Sequence, residues 1–91
     1  ISNATSIRQM ETKELSQNVD YMIIIGGKNS SNTRKLYEIA KENTKALIIE
    51  TADELDVKFF KDYNSIGIMA GASTPDESID SVIMKLENEY K

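Results

Sequence analysis

The stretch Tyr21-Met22-Ile23-Ile24-Ile25 is apolar at every position and is followed at once by Gly26-Gly27. A strand with one solvated face alternates apolar and polar side chains, whereas a strand covered on both faces is apolar throughout. The stretch therefore predicts the central strand of a sheet that carries helices on both of its faces.

The segments around this stretch alternate between helix and strand patterns. Apolar side chains recur at helical spacing in residues 6–18, 32–43 and 74–90, and short apolar runs at 46–49 and 65–69 predict two further strands. Short helical turns are expected between 51 and 63. Such alternation predicts the α/β class, a small and mainly parallel sheet in three layers. If the two crossovers run in opposite directions, the strand order is 2-1-3, within one domain over residues 1–91.

Several side chains have expected places in this fold. In the first helix, Ser6 and Gln9 resemble a capping box, and Ile7, Met10 and Leu15 form a thin apolar stripe.

Later in the chain, Thr51 with Glu54 forms a second capping-box pattern, and Phe59 and Phe60 are both expected to point inward. Thr74, followed by a proline and two acids, is expected to cap the last helix.

Composition excludes several classes of function. Fifteen acidic residues against eleven basic ones give a net charge of −4, which argues against binding to a nucleic-acid backbone. There is no histidine and no cysteine, so neutral-pH acid–base catalysis, zinc sites and disulfides lack their usual side chains. No apolar run is long enough to span a membrane and no signal peptide opens the chain, so we expect a cytoplasmic protein.

Two loops are expected to meet at the carboxyl edge of the sheet, after the first and third strands. Residues 26–33 offer Ser30, Ser31 and Asn32, and residues 70–74 offer Ser73. Each loop leads into a helix, whose free amides and dipole favour an anion. A serine before a helix is usually only a cap, but these loops hold more donors than caps require. The spacing leaves an anion site and simple capping equally open, with Lys28 and Arg34 expected in solvent.

Three segments together resemble one family. Gly-Gly-Lys-Asn-Ser-Ser-Asn-Thr at 26–33, Glu-Thr-Ala-Asp-Glu-Leu at 50–55 and Ala-Gly-Ala-Ser-Thr-Pro-Asp at 70–76 are similar to the carboxy-terminal domain of the LytB-type 4-hydroxy-3-methylbut-2-enyl diphosphate reductases. The opening residues 1–9 are similar to the family segment that carries a cluster cysteine. The resemblance covers essentially the whole chain, in order.

The resemblance implies a function for a longer parent protein. It implies reductive removal of the hydroxyl of an allylic diphosphate, which gives isopentenyl and dimethylallyl diphosphate in isoprenoid biosynthesis. It implies a [4Fe–4S] cluster held by three cysteines and electrons from ferredoxin or flavodoxin. It also implies that Ser30, Ser31, Asn32 and Ser73 bind the diphosphate, and it assigns no catalytic residue to this chain.

One position departs from the family pattern. Ser2 stands where the family has a cluster cysteine, either because the cysteine was replaced or because 2–4 is a remnant of an expression tag; Ile1 before it favours replacement. A serine hydroxyl is a poor iron ligand, so we expect no cluster in this chain. The leading hypothesis is a diphosphate-binding lobe that is inactive alone. The alternatives are a free-standing Rossmann-like anion- or nucleotide-binding module and a domain kept for protein–protein contact.

Overall fold

The computed structural model describes residues 4–71 and 74–89. Most element boundaries lie within one or two residues of the expected ones, so the predicted alternation is confirmed. In chain order the elements are helix α1 (Ala4–Ser16), strand β1 (Tyr21–Ile25), helix α2 (Ser31–Asn43), strand β2 (Lys45–Ile49), two short 3₁₀ helices (Ala52–Glu54 and Val57–Asp62), strand β3 (Ile66–Ala70) and helix α3 (Asp76–Glu89).

Strand β1 lies at the centre of a three-stranded parallel sheet with the order β2-β1-β3. At the carboxyl edge, Ile25 lies opposite Ile49 of β2 and Ala70 of β3. The predicted α/β class and the predicted order 2-1-3 are confirmed. The first crossover goes to one side of β1 and the second to the other, so a switch point opens between the ends of β1 and β3.

Both faces of β1 are covered, as its apolar sequence requires. All five of its residues are buried. Tyr21, Ile23 and Ile25 face a core formed with the 3₁₀ helices and α3, while Met22 and Ile24 face a second core formed with α2. Because successive side chains of a strand point to opposite faces, a single apolar run supplies both cores.

The apolar stripe expected on α1 is wrong for two of its three members. Ile7 is 54% exposed and Met10 is 64% exposed, and only Leu15 packs against the α2 core. The buried positions of α1 are instead Thr12 and Ser16. These hydroxyls donate to carbonyl oxygens of their own helix at 2.7 and 2.8 Å, so no polar atom is left unpaired by burying them.

The capping box expected at Ser6 and Gln9 is also wrong. Helix α1 begins at Ala4, so residue 6 already lies inside the helix. The Thr51–Glu54 pattern holds better, because the Glu54 carboxylate accepts the Thr51 N–H at 3.2 Å at the start of the first 3₁₀ helix.

Of the two phenylalanines expected in the core, only one is there. Phe60 is 1% exposed, whereas Phe59 is 51% exposed. Neighbouring residues of a 3₁₀ helix point about 120° apart, so the two cannot share one inward direction. Phe59 instead lies edge-on against the ring of Tyr21, with ring centroids 5.6 Å apart.

None of the helices in residues 4–71 and 74–89 is both long and apolar enough to cross a lipid bilayer.

Candidate anion-binding site

The loop after β3 is fastened to the end of β1. The N–H of Gly71 and the hydroxyl of Thr74 both donate to the carbonyl oxygen of Ile25, each at 3.0 Å. On the other side, the N–H of Gly26 donates to the carbonyl of Ile49 at 2.9 Å. The two segments that the sequence places forty-odd residues apart therefore adjoin at the switch point, as expected.

The loop after β1 leads directly into the amino terminus of α2. Ser30 is the N-cap, and its side-chain oxygen accepts the N–H of Thr33 at 3.4 Å. The Ser30 carbonyl accepts the N–H of Arg34 at 3.0 Å. The amides of Ser31 and Asn32 have no intrahelical acceptor and lie outside the hydrogen bonds that the structure describes. Both side chains are exposed. Capping thus occupies one residue of the run, and two donors in a row remain for a ligand.

The second loop differs from its prediction. The expected capping role of Thr74 is wrong, because α3 begins at Asp76 and the described bond of the Thr74 hydroxyl goes to Ile25. The hydroxyl joins the two loops instead of ending a helix. Ser73, expected to bind the diphosphate, lies outside the described residues, as does Ser2.

Thr33 is a site residue that the sequence analysis missed. Its side chain is wholly buried in the gap between Gly26 and Gly71, and a Cβ at either glycine would collide with its Oγ1. Neither glycine has a positive φ, so each is required by space rather than by backbone conformation. Helical spacing puts Thr33 on the same inward face as Leu36 and Ala40, which is the signal that could have identified it.

Arg8 is a second residue that the sequence analysis did not single out. Its Nη1 donates to the carbonyl oxygen of Ala70 at 2.9 Å, which brings a partly buried guanidinium to the carboxyl end of β3. Helical spacing places Arg8 on the same face of α1 as the buried Thr12, and this spacing was the available signal.

Lys28 belongs to the first loop, but its ammonium group is paired with a carboxylate outside that loop. Lys28 is exposed, as expected, and pairs in solvent with Glu54, with 2.6 Å between Nζ and Oε1. The hydrogen bond to Glu54 raises the pKa of Lys28, and the same bond lowers the pKa of Glu54, helped by the Glu50 N–H. The rim of the site therefore relies on uncharged hydroxyl, amide and main-chain donors.

The described residues offer no metal centre. In 4–71 and 74–89 no three histidine, cysteine, aspartate or glutamate side chains come together as possible ligands. The free amides of Ser31 and Asn32 at the start of α2 are suited to an oxyanion.

The amino-acid sequence is similar to one protein family and to reductases of several bacteria. Residues 1–87 match the sequence model of the family described as "LytB protein". The chain is 51% identical over 88 residues to the 4-hydroxy-3-methylbut-2-enyl diphosphate reductase of Clostridioides difficile, and 53% identical over 88 residues to that of Aquifex aeolicus. These matches cover 97% and 96% of this chain but only 32% and 30% of the relatives, so the chain spans about a third of their length.

Two solved structures are similar in fold as well. A structure of (E)-4-hydroxy-3-methyl-but-2-enyl diphosphate reductase, described as the terminal enzyme of the non-mevalonate pathway, superposes with a TM-score of 0.92 at 52% identity. A structure of the E-1-hydroxy-2-methyl-but-2-enyl-4-diphosphate reductase from Plasmodium falciparum gives a TM-score of 0.90 at 30% identity. Each match covers 97% of this chain, and 32% and 28% of those chains.

Proposed function

The chain belongs to the LytB protein family, and on this premise we propose that it forms the diphosphate-binding lobe of a 4-hydroxy-3-methylbut-2-enyl diphosphate reductase. In this proposal the whole protein reduces its allylic diphosphate substrate to isopentenyl and dimethylallyl diphosphate with electrons from ferredoxin or flavodoxin. The part assigned to the present chain is to hold the diphosphate group.

The observation that carries the proposal is the start of α2. The main-chain amides of Ser31 and Asn32 lie at the positive end of the helix dipole, beside exposed hydroxyl and amide side chains. Gly71 and Thr74 hold the second loop against the same edge through Ile25. An anion bound at the start of α2 would meet the donors of the first loop, and Ser73 is the donor that the proposal assigns to the second loop. We assign diphosphate binding to Ser30, Ser31, Asn32 and Ser73.

The family resemblance implies a [4Fe–4S] cluster, and the residues of this chain do not fit one. Cysteine thiolates hold [4Fe–4S] clusters, and the sequence contains no cysteine and no histidine. Ser2 offers only a hydroxyl, a harder ligand than the thiolate that iron–sulfur sites use. We therefore propose that this chain alone is inactive as a reductase. Iron and sulfide assays after reconstitution test this, and a stoichiometric cluster would contradict it.

The exposed apolar side chains of α1 support a lobe rather than a free-standing domain. Ile7 and Met10 lie one helical turn apart and are more than half exposed. In a parent about three times as long, the rest of the polypeptide could cover them. Neighbouring apolar residues in solvent carry a cost that an interface would remove.

Titration with inorganic pyrophosphate, followed by amide NMR spectra of the 91-residue chain, tests the binding role. We expect the signals of Ser30, Ser31, Asn32 and Ser73 to shift together, with weak affinity of about millimolar because one lobe supplies only part of the site. Ser31→Ala combined with Asn32→Ala should weaken these shifts.

A matched control removes one hydroxyl and one amide side chain from α3. Ser81→Ala combined with Asn88→Ala changes two exposed residues of α3 and should leave pyrophosphate affinity unchanged. Shifts confined to lysine-bearing surface, or equal weakening by both double variants, would indicate nonspecific charge attraction and contradict the proposal.

A further inference from the structure

The Thr33 hydroxyl is a buried polar group with no hydrogen-bond partner among residues 4–71 and 74–89. Thr33 is 0% exposed, and its Oγ1 makes no hydrogen bond within the described part of the chain. Buried hydroxyls are nearly always paired, because leaving one unpaired forfeits its hydration without return. Valine has nearly the same shape and would fill the position without this cost. Packing alone therefore accounts for the size of this side chain but not for its oxygen.

The Thr33 Oγ1 lies next to both loops of the site. A Cβ placed on Gly26 would collide with Oγ1, and a Cβ placed on Gly71 would lie 2.5 Å from it. The oxygen thus occupies the gap between the end of β1 and the end of β3, beneath the amino terminus of α2. It belongs to the first turn of α2, the helix whose first amides form the proposed anion site.

We propose that Thr33 is a positioning residue of this site. Its side chain fixes the separation of the main chain at Gly26 and at Gly71, and its hydroxyl gains a hydrogen-bond partner when a phosphate or diphosphate anion binds at the start of α2. The inference rests on the proposed function and extends it to a residue whose hydroxyl has no partner in the described part of the chain.

The side chain of threonine is suited to such a response. In a helix, threonine populates two χ1 rotamers because its hydroxyl has alternative places to bond. Binding energy gained by pairing the oxygen would be present only in the liganded protein, so it would add to affinity rather than to stability of the free chain.

Two substitutions separate the hydroxyl from the shape of the side chain. Thr33→Val keeps the branched shape and removes the oxygen, while Thr33→Ser keeps the oxygen and removes the methyl group. We expect Thr33→Val to weaken pyrophosphate binding about tenfold, with an unfolding midpoint equal to or above that of the parent chain. Thr33→Ser should bind within about threefold of the parent chain despite a lower midpoint.

The outcomes distinguish this inference from the proposed function. If the unaltered chain binds pyrophosphate and Thr33→Val binds it equally well, the hydroxyl is not used and only this inference fails. If Thr33→Val and Thr33→Ser weaken binding equally and both lower the unfolding midpoint, Thr33 acts by packing alone and the inference is again overturned. If the unaltered chain binds no pyrophosphate, the proposed function fails and this inference fails with it.

A measurement on the unaltered chain covers the case in which a variant does not fold. The methyl shift and the χ1 couplings of Thr33 should change on saturation with pyrophosphate, because the hydroxyl acquires a partner. A Thr33 side chain that keeps the same couplings while the Ser31 and Asn32 amides shift would overturn the inference.

Discussion

The guanidinium of Arg8 reaches across the sheet edge and donates to the carbonyl oxygen of Ala70 at 2.9 Å, 62 residues further along the chain. Ala70 is the last residue of β3, and Gly71 follows it into the second loop of the proposed site. This contact holds the first helix and the end of the third strand in a fixed relation, so Arg8 helps to place the second loop.

Replacing Arg8 with methionine should destabilise the chain by about 1–3 kcal/mol, because the partly buried Ala70 carbonyl loses a charged donor. Urea unfolding measures the change. Arg34→Met is the matched control, since Arg34 is exposed on α2, and it should alter stability by less than about 0.5 kcal/mol. Equal losses for the two variants would show that the contact contributes nothing.

Gly26 and Gly27 are adjacent but should respond differently to alanine. A Cβ at Gly26 collides with the buried Thr33, whereas a Cβ at Gly27 comes no closer than 3.9 Å, to Ser30 Cβ. We expect Gly26→Ala to cost about 1–3 kcal/mol of stability through overpacking and Gly27→Ala to be close to neutral. Thermal unfolding of both variants measures the difference. A mild effect at Gly26 would mean that Thr33 can yield, and the spacing of the loops would not be fixed by it.

The fold was readable from the sequence because its decisive signals are local. The unbroken apolar run of β1 requires cover on both faces, and the strand–helix alternation leaves few possible topologies. The orientation of individual side chains was less accessible. Ile7 and Met10 fit a helical stripe, yet the packed face of α1 uses Thr12 and Ser16, whose hydroxyls bond within the helix.

The loops of the candidate site were predictable from the sequence, but the roles of Thr33 and Arg8 behind them were not. Ser30, Ser31 and Asn32 attract notice because they exceed what capping needs. Thr33 and Arg8 do not, since their significance lies in contacts with Gly71 and Ala70, which are far away in sequence. Such contacts exist only once three strands have been brought together in order.

The Lys28–Glu54 pair should make stability depend on pH at the acidic end. The pKa of Glu54 lies below its ordinary value of 4.5 in the folded chain, chiefly through the bond to Lys28. The stabilisation is therefore fully present above about pH 4.5 and is lost as the pH falls through the lower folded value. The pKa of Lys28 is raised, so its contribution is complete below 10.5 and is lost only as the pH rises through the higher folded value.

Thermal unfolding of Glu54→Gln across this range checks the sign. Its midpoint should lie below that of the parent chain near neutral pH, and the gap should close as both are acidified and shrink with added salt, because the pair is in solvent. Glu42→Gln, an exposed control on α2, should show no comparable closing gap. A gap that stays constant to about pH 2 would be inconsistent with an ionic origin.

Phe59 and Phe60 offer a test of how the second 3₁₀ helix faces the core. Phe60 is 1% exposed and packs with Tyr21, with 5.1 Å between ring centroids, whereas Phe59 is half exposed. Phe60→Ala should cost about 3–5 kcal/mol, enough to leave so small a domain barely folded, so Phe60→Leu serves as a milder variant. Phe59→Ala should cost only about 1 kcal/mol, for its edge-on contact with Tyr21. Urea unfolding at one temperature compares the three, and a Phe59 variant as damaging as Phe60→Ala would mean that both rings lie in the core.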